Sequence, residues 1–494
     1  MVHYRQLIAK TSNLSYYGQA VIPSDYRKEI LLMILYIHRK DLRTSDLPVF
    51  EAIRSSGSRS LHLLILEPFL LRKQRYLEHS GVNFLTQVSR LQQEYATEGK
   101  QLHILYGEPD IIVKRLSETY PIQELMVHAD YTPYALKRDM SLRDTSAALG
   151  IRFKIFHDSM LCDLEDFMDW CGRREPFKVF TPFYRRWRSY LAERFHPPYS
   201  STLADLSTAT LDDKIAEDFK IPEEIKLQFE KLVPSRKKMD VNDTLEQFID
   251  LHLRDYHVNR DRYAQEGTSQ ISRYLNTGTI SARTVYTRLA EEETGGEEWL
   301  RQLAWRDFYL YQARLDANFF SYEKVYDLSM LGTKYFEAWS SGRTGIPVID
   351  AAMTQLNTTG WMPNRLRMIT AMFLTKNLGC PFIYGERYFR LKLGDYDNAL
   401  NRGGWLWSSS LGFDASPYFR IMNPVTQSQT HDPSGDYIRT WLPELAVLSD
   451  KAIHLPRPYA IVDLKQSRAL AIEVYKEILN SKGAAVHPNH GNEL

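Results

Sequence analysis

The sequence predicts two structural parts, an α/β domain with a doubly wound parallel sheet followed by a large all-α domain. Short apolar runs alternate with amphipathic stretches in the first third of the chain. Continuous apolar strands that alternate with helices are typical of a parallel sheet covered by helices on both faces. After about residue 241 helical periodicity dominates and β-branched alternation is rare, which favours an all-α fold.

The elements of the first part follow one another along residues 29–160. Strands are predicted at 30–37, 60–67, 101–106, 124–129 and 151–156, and helices between them at 83–98 and 109–119. Sheets of this kind bind ligands beyond the carboxyl ends of their strands. No GxGxxG motif follows the first run, so the usual dinucleotide fingerprint is absent.

The rest of the chain divides by composition. Residues 1–28 form a leader without an apolar core, and the Pro-, Ser- and Thr-rich stretch within 161–240 indicates a long connection between domains. The all-α domain extends over 241–480, and 481–494 is typical of a frayed tail. Its helices are predicted at 242–254, 299–315, 346–357, 362–377 and 463–480.

The composition excludes several classes of protein. The 494 residues hold 62 Lys+Arg against 61 Asp+Glu, and 44% are hydrophobic, which is ordinary for a globular chain. A disordered chain and a histone-like polycation are therefore excluded. A local basic groove is not, because net charge averages over all faces. Residues 173–196 carry seven basic against two acidic side chains, either a solvated surface or a rim that faces phosphates.

The three cysteines, Cys162, Cys171 and Cys380, are too few and too scattered for a disulfide scaffold. No CxxC pair is present, so we predict no structural zinc or iron–sulfur site and no metal. The longest apolar run, 30–37, is far shorter than a membrane span. We therefore expect a soluble protein of the cytoplasm without a membrane partner.

Two segments carry hydroxyl and charged groups that suit a ligand. Thr268 and Ser269 precede a predicted helix, where hydroxyls act as N-caps and free N–H groups can bind a phosphate. Residues 364–368 place Asn364 and Arg367 on one helix face ahead of an apolar stretch. An arginine in such a helix needs a carboxylate or a ligand.

Two further segments combine acids, amides and tryptophans. Residues 394–401 hold two aspartates and two asparagines ahead of Trp405 and Trp407, but they lack the ligand spacing of a calcium loop. Gln302 and Trp305 lie one helical turn apart, so they can offer an amide beside a stacking plane. Together the four segments could converge on one deep pocket.

Long motifs in these segments resemble the photolyase/cryptochrome flavoproteins. They are YIHRKDLRTSD, FKVFTPFYRRW, GTSQIS, WLRQLAWRDFY, GRTGIPVIDAAMTQLNTTGWMPNRLRMITAMFL, GDYDNALNRGGWLWSS and DASPYFRIMNPVTQSQTHDPSGDYIRTWLPEL. The similarity extends in order from about residue 30 to 480 and is greatest to class I cyclobutane pyrimidine dimer photolyases. It implies an α/β antenna domain followed by a helical domain that holds FAD.

The resemblance implies a set of residues that bind FAD. Arg367 and Asp395 are expected to form an ion pair beside the isoalloxazine ring, Asp397 to lie near its polar edge, and Asn401 to face the flavin N5. A neutral Asn at that position favours repair over signalling. The complete implied set is Tyr256, Thr268, Ser269, Ile271, Ser272, Trp299, Asn364, Arg367, Asp395, Asp397 and Asn401.

The resemblance also implies UV-damaged DNA as the partner of a monomeric enzyme. Trp305 and Trp407 match the two rings that hold a flipped-out dimer, and Arg365 is expected to line the lesion pocket. Arg260 matches a residue near a DNA phosphate. Met368 occupies the position of a catalytic His in (6-4) photolyases, and because it cannot supply a proton it favours dimer repair.

The implied reaction is light-driven DNA repair, in which excited FADH⁻ gives one electron to the dimer and regains it after the ring opens. The alternative is a blue-light cryptochrome without repair activity, and a third interpretation is a flavin-bearing DNA binder without turnover. Gln302, where dimer photolyases usually have Glu, leaves the repair efficiency open.

Two features depart from the family pattern. Trp405 matches the tryptophan nearest the flavin in an electron relay, but Phe382 stands at the middle position and the outer one falls near Ser329. Tyrosines 326, 384 and 388 are candidate substitutes. Tyr134 and Ala135 replace the Asn-Glu of folate-binding enzymes, so the identity of a second, antenna chromophore stays open between a deazaflavin, another flavin and an empty pocket.

Overall fold

A computed structural model of the chain describes residues 33–232, 241–292 and 295–481. The predicted leader lies outside these ranges, and so does the predicted tail from residue 482 onward. The predicted fold class is confirmed: a five-stranded parallel sheet comes first, and the part that follows is largely helical.

The sheet has the strand order β3-β2-β1-β4-β5, with every neighbouring pair parallel. Its strands are β1 Met33–His38, β2 Arg59–Leu66, β3 His103–Tyr106, β4 Ile122–His128 and β5 Arg152–Phe156. Alternate residues feed two separate apolar cores, one containing Tyr36 and Leu64 and the other containing Leu35 and Leu63. The chain winds outward from β1 in both directions, so β1 and β4 meet at a topological switch point.

Helices cover both faces of this sheet. They are α1 Pro48–Ser56, α2 Pro68–Leu71, α3 His79–Thr97, α4 Pro109–Ser117 and α5 Pro133–Ala148. Four of them begin with proline, whose fixed φ and missing N–H suit the first helical position. Residues at and beyond the carboxyl ends of β1 and β4 line a cleft together with residues of the helical part.

The stretch 161–240 was predicted as a connection between domains, and its described residues form four α-helices. These are α6 Leu164–Trp170, α7 Phe180–Arg194, α8 Asp213–Asp218 and α9 Glu223–Lys231. Phe180 and Trp187 are buried in the core of the helical part, whereas Ile215 and Ile225 pack onto opposite faces of the sheet. Apolar residues of these helices pack into the cores of both domains.

The helical part surrounds one large core and includes each of the predicted helices. Its α-helices are α10 Val241–His252, α11 Tyr256–Asn259, α12 Ser272–Thr277, α13 Ala282–Ala290, α14 Gly296–Leu315, α15 Phe336–Ser340, α16 Pro347–Thr359, α17 Asn364–Met372, α18 Phe382–Lys392, α19 Asn398–Ser408, α20 Pro424–His431, α21 Asp436–Trp441 and α22 Leu464–Asn480. A π-helical turn, Phe373–Asn377, continues α17. Within the described ranges no helix is both long and apolar enough to cross a membrane.

A buried ion network joins the two domains. Asp158, after β5, accepts hydrogen bonds from Arg43 at 2.5 Å and from Arg283 of α13 at 2.6 Å. Arg283 also reaches Asp46 at 3.0 Å, and Arg43 donates to the carbonyl of Gly278 at 3.1 Å. All four charged side chains are at least nine-tenths buried, so this network fixes the sheet against the helical part.

Candidate active site

The candidate cofactor residues lie on neighbouring helices of the helical part. α19 packs against both α14 and α17, and a hydrogen bond from α12 reaches the segment that precedes α19. Four separate sequence segments therefore meet in one region. The sequence predicted that these segments could converge on one pocket, and the helices that carry them pack together.

The centre of this region is the Arg367–Asp395 ion pair, which the resemblance implied and which is present. Asp395 Oδ2 accepts from Arg367 Nη2 at 3.0 Å and from Ser272 Oγ at 2.7 Å. Arg367 Nε donates to the carbonyl of Met362 at 2.8 Å, which orients the guanidinium. A bond from Ser272 was not expected, since sequence alone does not show which hydroxyl reaches the acid.

The second oxygen of Asp395 has no partner. Oδ1 is buried and makes no hydrogen bond among the described residues, while the side chain is only 4% exposed. A buried acceptor without a donor costs about 1–3 kcal/mol. A ligand that presents an N–H or O–H group to Oδ1 would remove this cost. FAD carries such donors on its isoalloxazine ring and its hydroxylated chain, so the site fits this cofactor.

The segment before α12 differs from its prediction. Thr268 and Ser269 were expected to cap the helix, but α12 begins at Ser272 with Ile271 at its N-cap and no side-chain cap bond. Ile271 is buried in the core, and Gln270 has a φ of +51°, so the chain turns just before the helix. The first-turn N–H groups consequently lack a hydroxyl partner, and Ser269 lies buried nearby in sequence.

Tyr256 and Trp299 pack against the same aromatic side chain. Both rings contact Phe248, with centroids 5.8 Å and 6.5 Å away. Burial raises the pKa of Tyr256 to about 12, so its phenol is a neutral hydrogen-bonding group at physiological pH. Arg260 lies 5.7 Å from the Tyr256 ring centroid and 4.0 Å from Glu298, so this predicted phosphate contact already faces a carboxylate.

Asp397 and Asn401 begin the helix that carries the paired tryptophans. Asp397 Oδ1 caps α19 by accepting from the amides of Ala399 and Leu400 at 2.9 and 3.1 Å. The side-chain amide of Asn401 donates to the backbone carbonyl of Glu386 at 3.0 Å. Lys40 of the sheet domain lies 3.8 Å from Asp397 Oδ2, a contact that sequence analysis missed although Lys40 stands in one of the quoted motifs.

Residues of α17 face several directions. Asn364 is exposed and its amide contacts the sulfur of Met368 at 3.6 Å. Arg365 is half-buried and donates to Asp261 at 2.5 Å, while its buried Nε has no acceptor in the described ranges. The guanidinium of Arg365 therefore keeps a free donor for a ligand.

The two candidate stacking rings stand on packed helices. Trp305 lies flat against Phe180 of α7, with ring centroids 3.6 Å apart and planes inclined by 4°. Trp407 is half-buried, and its carbonyl accepts from the amide of Ser416 at 3.3 Å. Gln302 is half-buried and donates to the carbonyl of Glu298 at 3.1 Å. Phe180 was not predicted, because its own segment had been interpreted as a connection.

The two relay candidates are buried in the core. Trp405 is 2% exposed and Phe382 is 1% exposed. Gly385 faces the tip of the Trp405 ring, and a Cβ at position 385 would lie 2.0 Å from it. A larger residue at position 385 would displace this tryptophan.

A separate cleft lies at the switch point between the domains. Its cavity volume is about 50 Å³, and its lining includes Lys40, His128, Asp130, Arg306 and Asp397. His128 Nδ1 is hydrogen-bonded to Asp41, while its buried Nε2 has no hydrogen-bond partner within the part of the chain that the structure describes. Sequence analysis did not identify His128, since only the fold brings the end of β4 to the helical part.

Two family models match the chain. The model described as DNA photolyase matches residues 34–200, and the model described as the FAD binding domain of DNA photolyase matches residues 299–482. Together they cover more than half of the sequence.

Relatives of known name and structure agree with these matches. A deoxyribodipyrimidine photo-lyase of Vibrio cholerae is 34% identical over 90% of this chain and 99% of its own length. The crystal structure of an archaeal photolyase from Sulfolobus tokodaii with two FAD molecules has a TM-score of 0.76 at 28% identity, over 90% of this chain and all of its own. A cryptochrome of Synechocystis has a TM-score of 0.75 at 25% identity, over 90% of this chain and 99% of its own.

Proposed function

The chain belongs to the DNA photolyase family, and on that premise we propose that it is a light-driven deoxyribodipyrimidine photo-lyase that splits cyclobutane pyrimidine dimers in UV-damaged DNA. The observation that carries the proposal is the Arg367–Asp395 pair, in which the buried Oδ1 of Asp395 has no hydrogen-bond partner among the described residues. It lies in the helical part that carries the family's FAD-binding domain.

FAD, reduced to FADH⁻, supplies the light-driven one-electron chemistry that opens the cyclobutane ring. Arg367 provides a cation beside the cofactor's negative charge, and Asp395 holds that cation in place. The remaining candidates are proposed to bind the phosphates, sugar and ring of FAD. They are Tyr256, Thr268, Ser269, Ile271, Ser272, Trp299, Asn364, Asp397 and Asn401.

The lesion must leave the DNA stack to reach the cofactor, which costs a few kcal/mol. Stacking on Trp305 and Trp407 returns about 1–3 kcal/mol per base. Trp305 is held flat by Phe180, so little freedom is lost when a base stacks on its other face. Gln302 offers an amide hydrogen bond, and Arg260 and Arg365 offer charge to the DNA.

Met368 sets the type of lesion in this proposal. A thioether cannot donate a proton, whereas a (6-4) product needs proton transfer during repair. Dimer splitting requires an electron and no net proton. We therefore propose cyclobutane dimers as the substrate, with residues 29–160 as the antenna domain and 241–480 as the catalytic domain of a monomer in the cytoplasm.

The interdomain cleft, with a cavity volume of about 50 Å³, is too small to admit a chromophore ring without movement of its lining. It lies beyond the carboxyl ends of β1 and β4, and the unpartnered His128 Nε2 offers a hydrogen bond there. Tyr134 stacks on Phe69 at 4.3 Å and donates to Glu67, which gives no support to a folate. The identity of a second chromophore stays open between a deazaflavin, another flavin and an empty pocket, and the Sulfolobus tokodaii structure is described with two FAD molecules.

The decisive experiment is a repair assay. Reduced protein is mixed with an oligonucleotide that contains one thymine dimer, illuminated with near-UV or blue light, and scored for restored thymines against a dark control. We expect restoration only in the light. Binding of the lesion without restoration would indicate a flavin-bearing DNA binder, and neither binding nor restoration would indicate a signalling cryptochrome.

A matched pair of variants tests the stacking wall. Trp305→Phe keeps an aromatic plane against Phe180, whereas Trp305→Ala removes it. We expect the Phe variant to bind the dimer within about threefold of the wild type and the Ala variant to bind at least about tenfold more weakly. Equal binding by all three proteins would remove Trp305 from the lesion site.

A further inference from the structure

The surroundings of Trp405 suggest how electrons reach a buried cofactor. Trp405 stands one helical turn after Asn401 on α19, so the two side chains share a helix face. Its ring contacts Phe389 at 5.1 Å and Trp339 of α15 at 6.1 Å. Of these two neighbours only tryptophan is readily oxidised, since a phenyl ring holds its electrons much more tightly.

The position expected for a middle relay is unsuited to that role. Phe382 has a phenyl ring, and the guanidinium of Arg402 lies 5.0 Å from its centroid. A nearby cation further disfavours removal of an electron from the ring. A hop from Phe382 to Trp405 is therefore strongly uphill.

A different set of rings leads outward from Trp405. Trp339 is fully buried, with its indole N–H donating to the carbonyl of Thr370 at 3.0 Å. Its ring contacts Phe336 at 6.0 Å, and Phe336 contacts Tyr384 at 5.7 Å. Tyr384 is 40% exposed, so this series of rings connects the core with the solvent.

A tyrosine can end such a series only if its phenolic proton can leave. Tyr388 also contacts Trp339, at 5.8 Å, but its hydroxyl faces the carbonyl oxygens of Ser340 and Asn357, which are poor bases. Burial raises the pKa of Tyr388. The exposed Tyr384 can instead release its proton to water.

We infer that Trp405, Trp339 and Tyr384 form the electron path that reduces bound FAD in this protein, with Phe336 filling the gap between the last two. The inference rests on the proposed function, because repair requires reduced FAD. It replaces Phe382 by Trp339 as the second relay and assigns Tyr384 as the surface donor.

The electron balance uses an added thiol. Under illumination Trp405 gives one electron to oxidised FAD and is refilled from Trp339, which is refilled from Tyr384. Tyr384 loses its phenolic proton to water and becomes a neutral radical. A thiol returns a hydrogen atom to this radical, and the resulting thiyl radicals pair as a disulfide. Two such turns, with one proton taken from water, give FADH⁻.

The test follows photoreduction of the FAD-loaded protein in the absence of oxygen with excess thiol, by the loss of the oxidised-flavin band and by transient absorption of tryptophan and tyrosine radicals. We expect Trp339→Phe to slow photoreduction at least about tenfold. Tyr384→Phe should abolish the tyrosyl signal and slow photoreduction severalfold. The matched control Tyr388→Phe should change neither quantity.

Two outcomes would overturn the path. One is a wild-type rate in Trp339→Phe, and the other is an unchanged tyrosyl signal in Tyr384→Phe. The second variant is at the surface, so it remains informative if the buried Trp339→Phe protein fails to fold or to hold FAD. Repair by chemically reduced Trp339→Phe should equal that of the wild type. Loss of repair in every protein would refute the proposed function while leaving the photoreduction result intact.

Discussion

The interdomain network and the candidate FAD site both bury a carboxylate beside arginine, but they differ in how the carboxylate is satisfied. At the domain boundary, each oxygen of Asp158 accepts from a different arginine, Arg43 or Arg283. In the candidate site, Asp395 receives both of its hydrogen bonds on Oδ2, from Arg367 and Ser272, and leaves the buried Oδ1 without a donor.

This difference predicts different roles for the two clusters. A buried charge with all its hydrogen bonds made is stable on its own, and removal of one member leaves its partners uncompensated. A carboxylate with an unused, buried oxygen gains stability when a ligand supplies the donor. We therefore expect the first cluster to govern folding and the second to govern FAD binding.

The largest effect is expected from Asp158→Ala. It leaves two buried guanidinium groups without their shared carboxylate and should lower the free energy of unfolding by about 3–5 kcal/mol. Urea unfolding with and without FAD measures this change. Lys220→Ala, which removes an exposed pair with Glu217, is the control and should leave the urea midpoint unchanged. An Asp158→Ala urea midpoint equal to that of the control would show that the Asp158 cluster does not govern folding.

A third buried carboxylate adds a pH dependence of known sign. Asp307 accepts from the Trp187 indole and the Leu161 amide, but Arg306 lies 3.7 Å away, beyond hydrogen-bond distance. Burial raises its pKa to about 6. The folded protein thus holds this proton more tightly than the unfolded chain, whose Asp has a pKa of about 3.9. The free energy of unfolding should fall by about 2–3 kcal/mol between pH 4 and 6 through this group.

Asp307→Asn isolates that contribution. The amide oxygen can still accept from Trp187 and Leu161, but it cannot titrate. The fall between pH 4 and 6 should therefore become shallower by about the same amount in urea titrations. Identical slopes for the variant and the wild type would show that the pKa of Asp307 does not differ between the folded and unfolded states.

A smaller effect is expected from Asp395→Asn in FAD-free protein. The substitution removes an ion pair whose arginine is 23% exposed, but it also removes a poorly solvated carboxylate oxygen. The two changes oppose each other, so the free energy of unfolding should change by no more than about 1 kcal/mol. A loss as large as that of Asp158→Ala would mean that both clusters are structural.

The smallest effect on binding is expected from Gln302→Glu, which adds a carboxylate to the lesion side of the site. The wild-type Gln302 side chain is half-buried and donates to the Glu298 carbonyl. A carboxylate at this position cannot make that bond. We expect binding of a dimer-containing oligonucleotide to stay within about threefold, while the repair yield per absorbed photon changes. An unaltered yield would show that this position does not affect the splitting step.

Sequence predicted those parts of the molecule that depend on local pattern or long motifs. The apolar runs predicted all five strands of the sheet, and the family resemblance implied the Arg367–Asp395 ion pair. It did not predict that Lys40 and His128 line the interdomain cleft, because residues of both domains form that cleft. It also placed the cap of α12 too early, since Thr268 and Ser269 have the right hydroxyls but the buried Ile271 determines where the helix begins.

The most direct measurement of the central claim is FAD affinity of the wild type and Asp395→Asn, determined by reconstitution of flavin-free protein and titration of flavin fluorescence. We predict about one FAD per wild-type chain and an affinity at least about 100-fold lower in the variant, because a hydrogen bond to a charged group contributes about 1.5–3 kcal/mol and the pair with Arg367 is lost as well. Equal affinities, or a wild-type chain that takes up no FAD, would contradict the account.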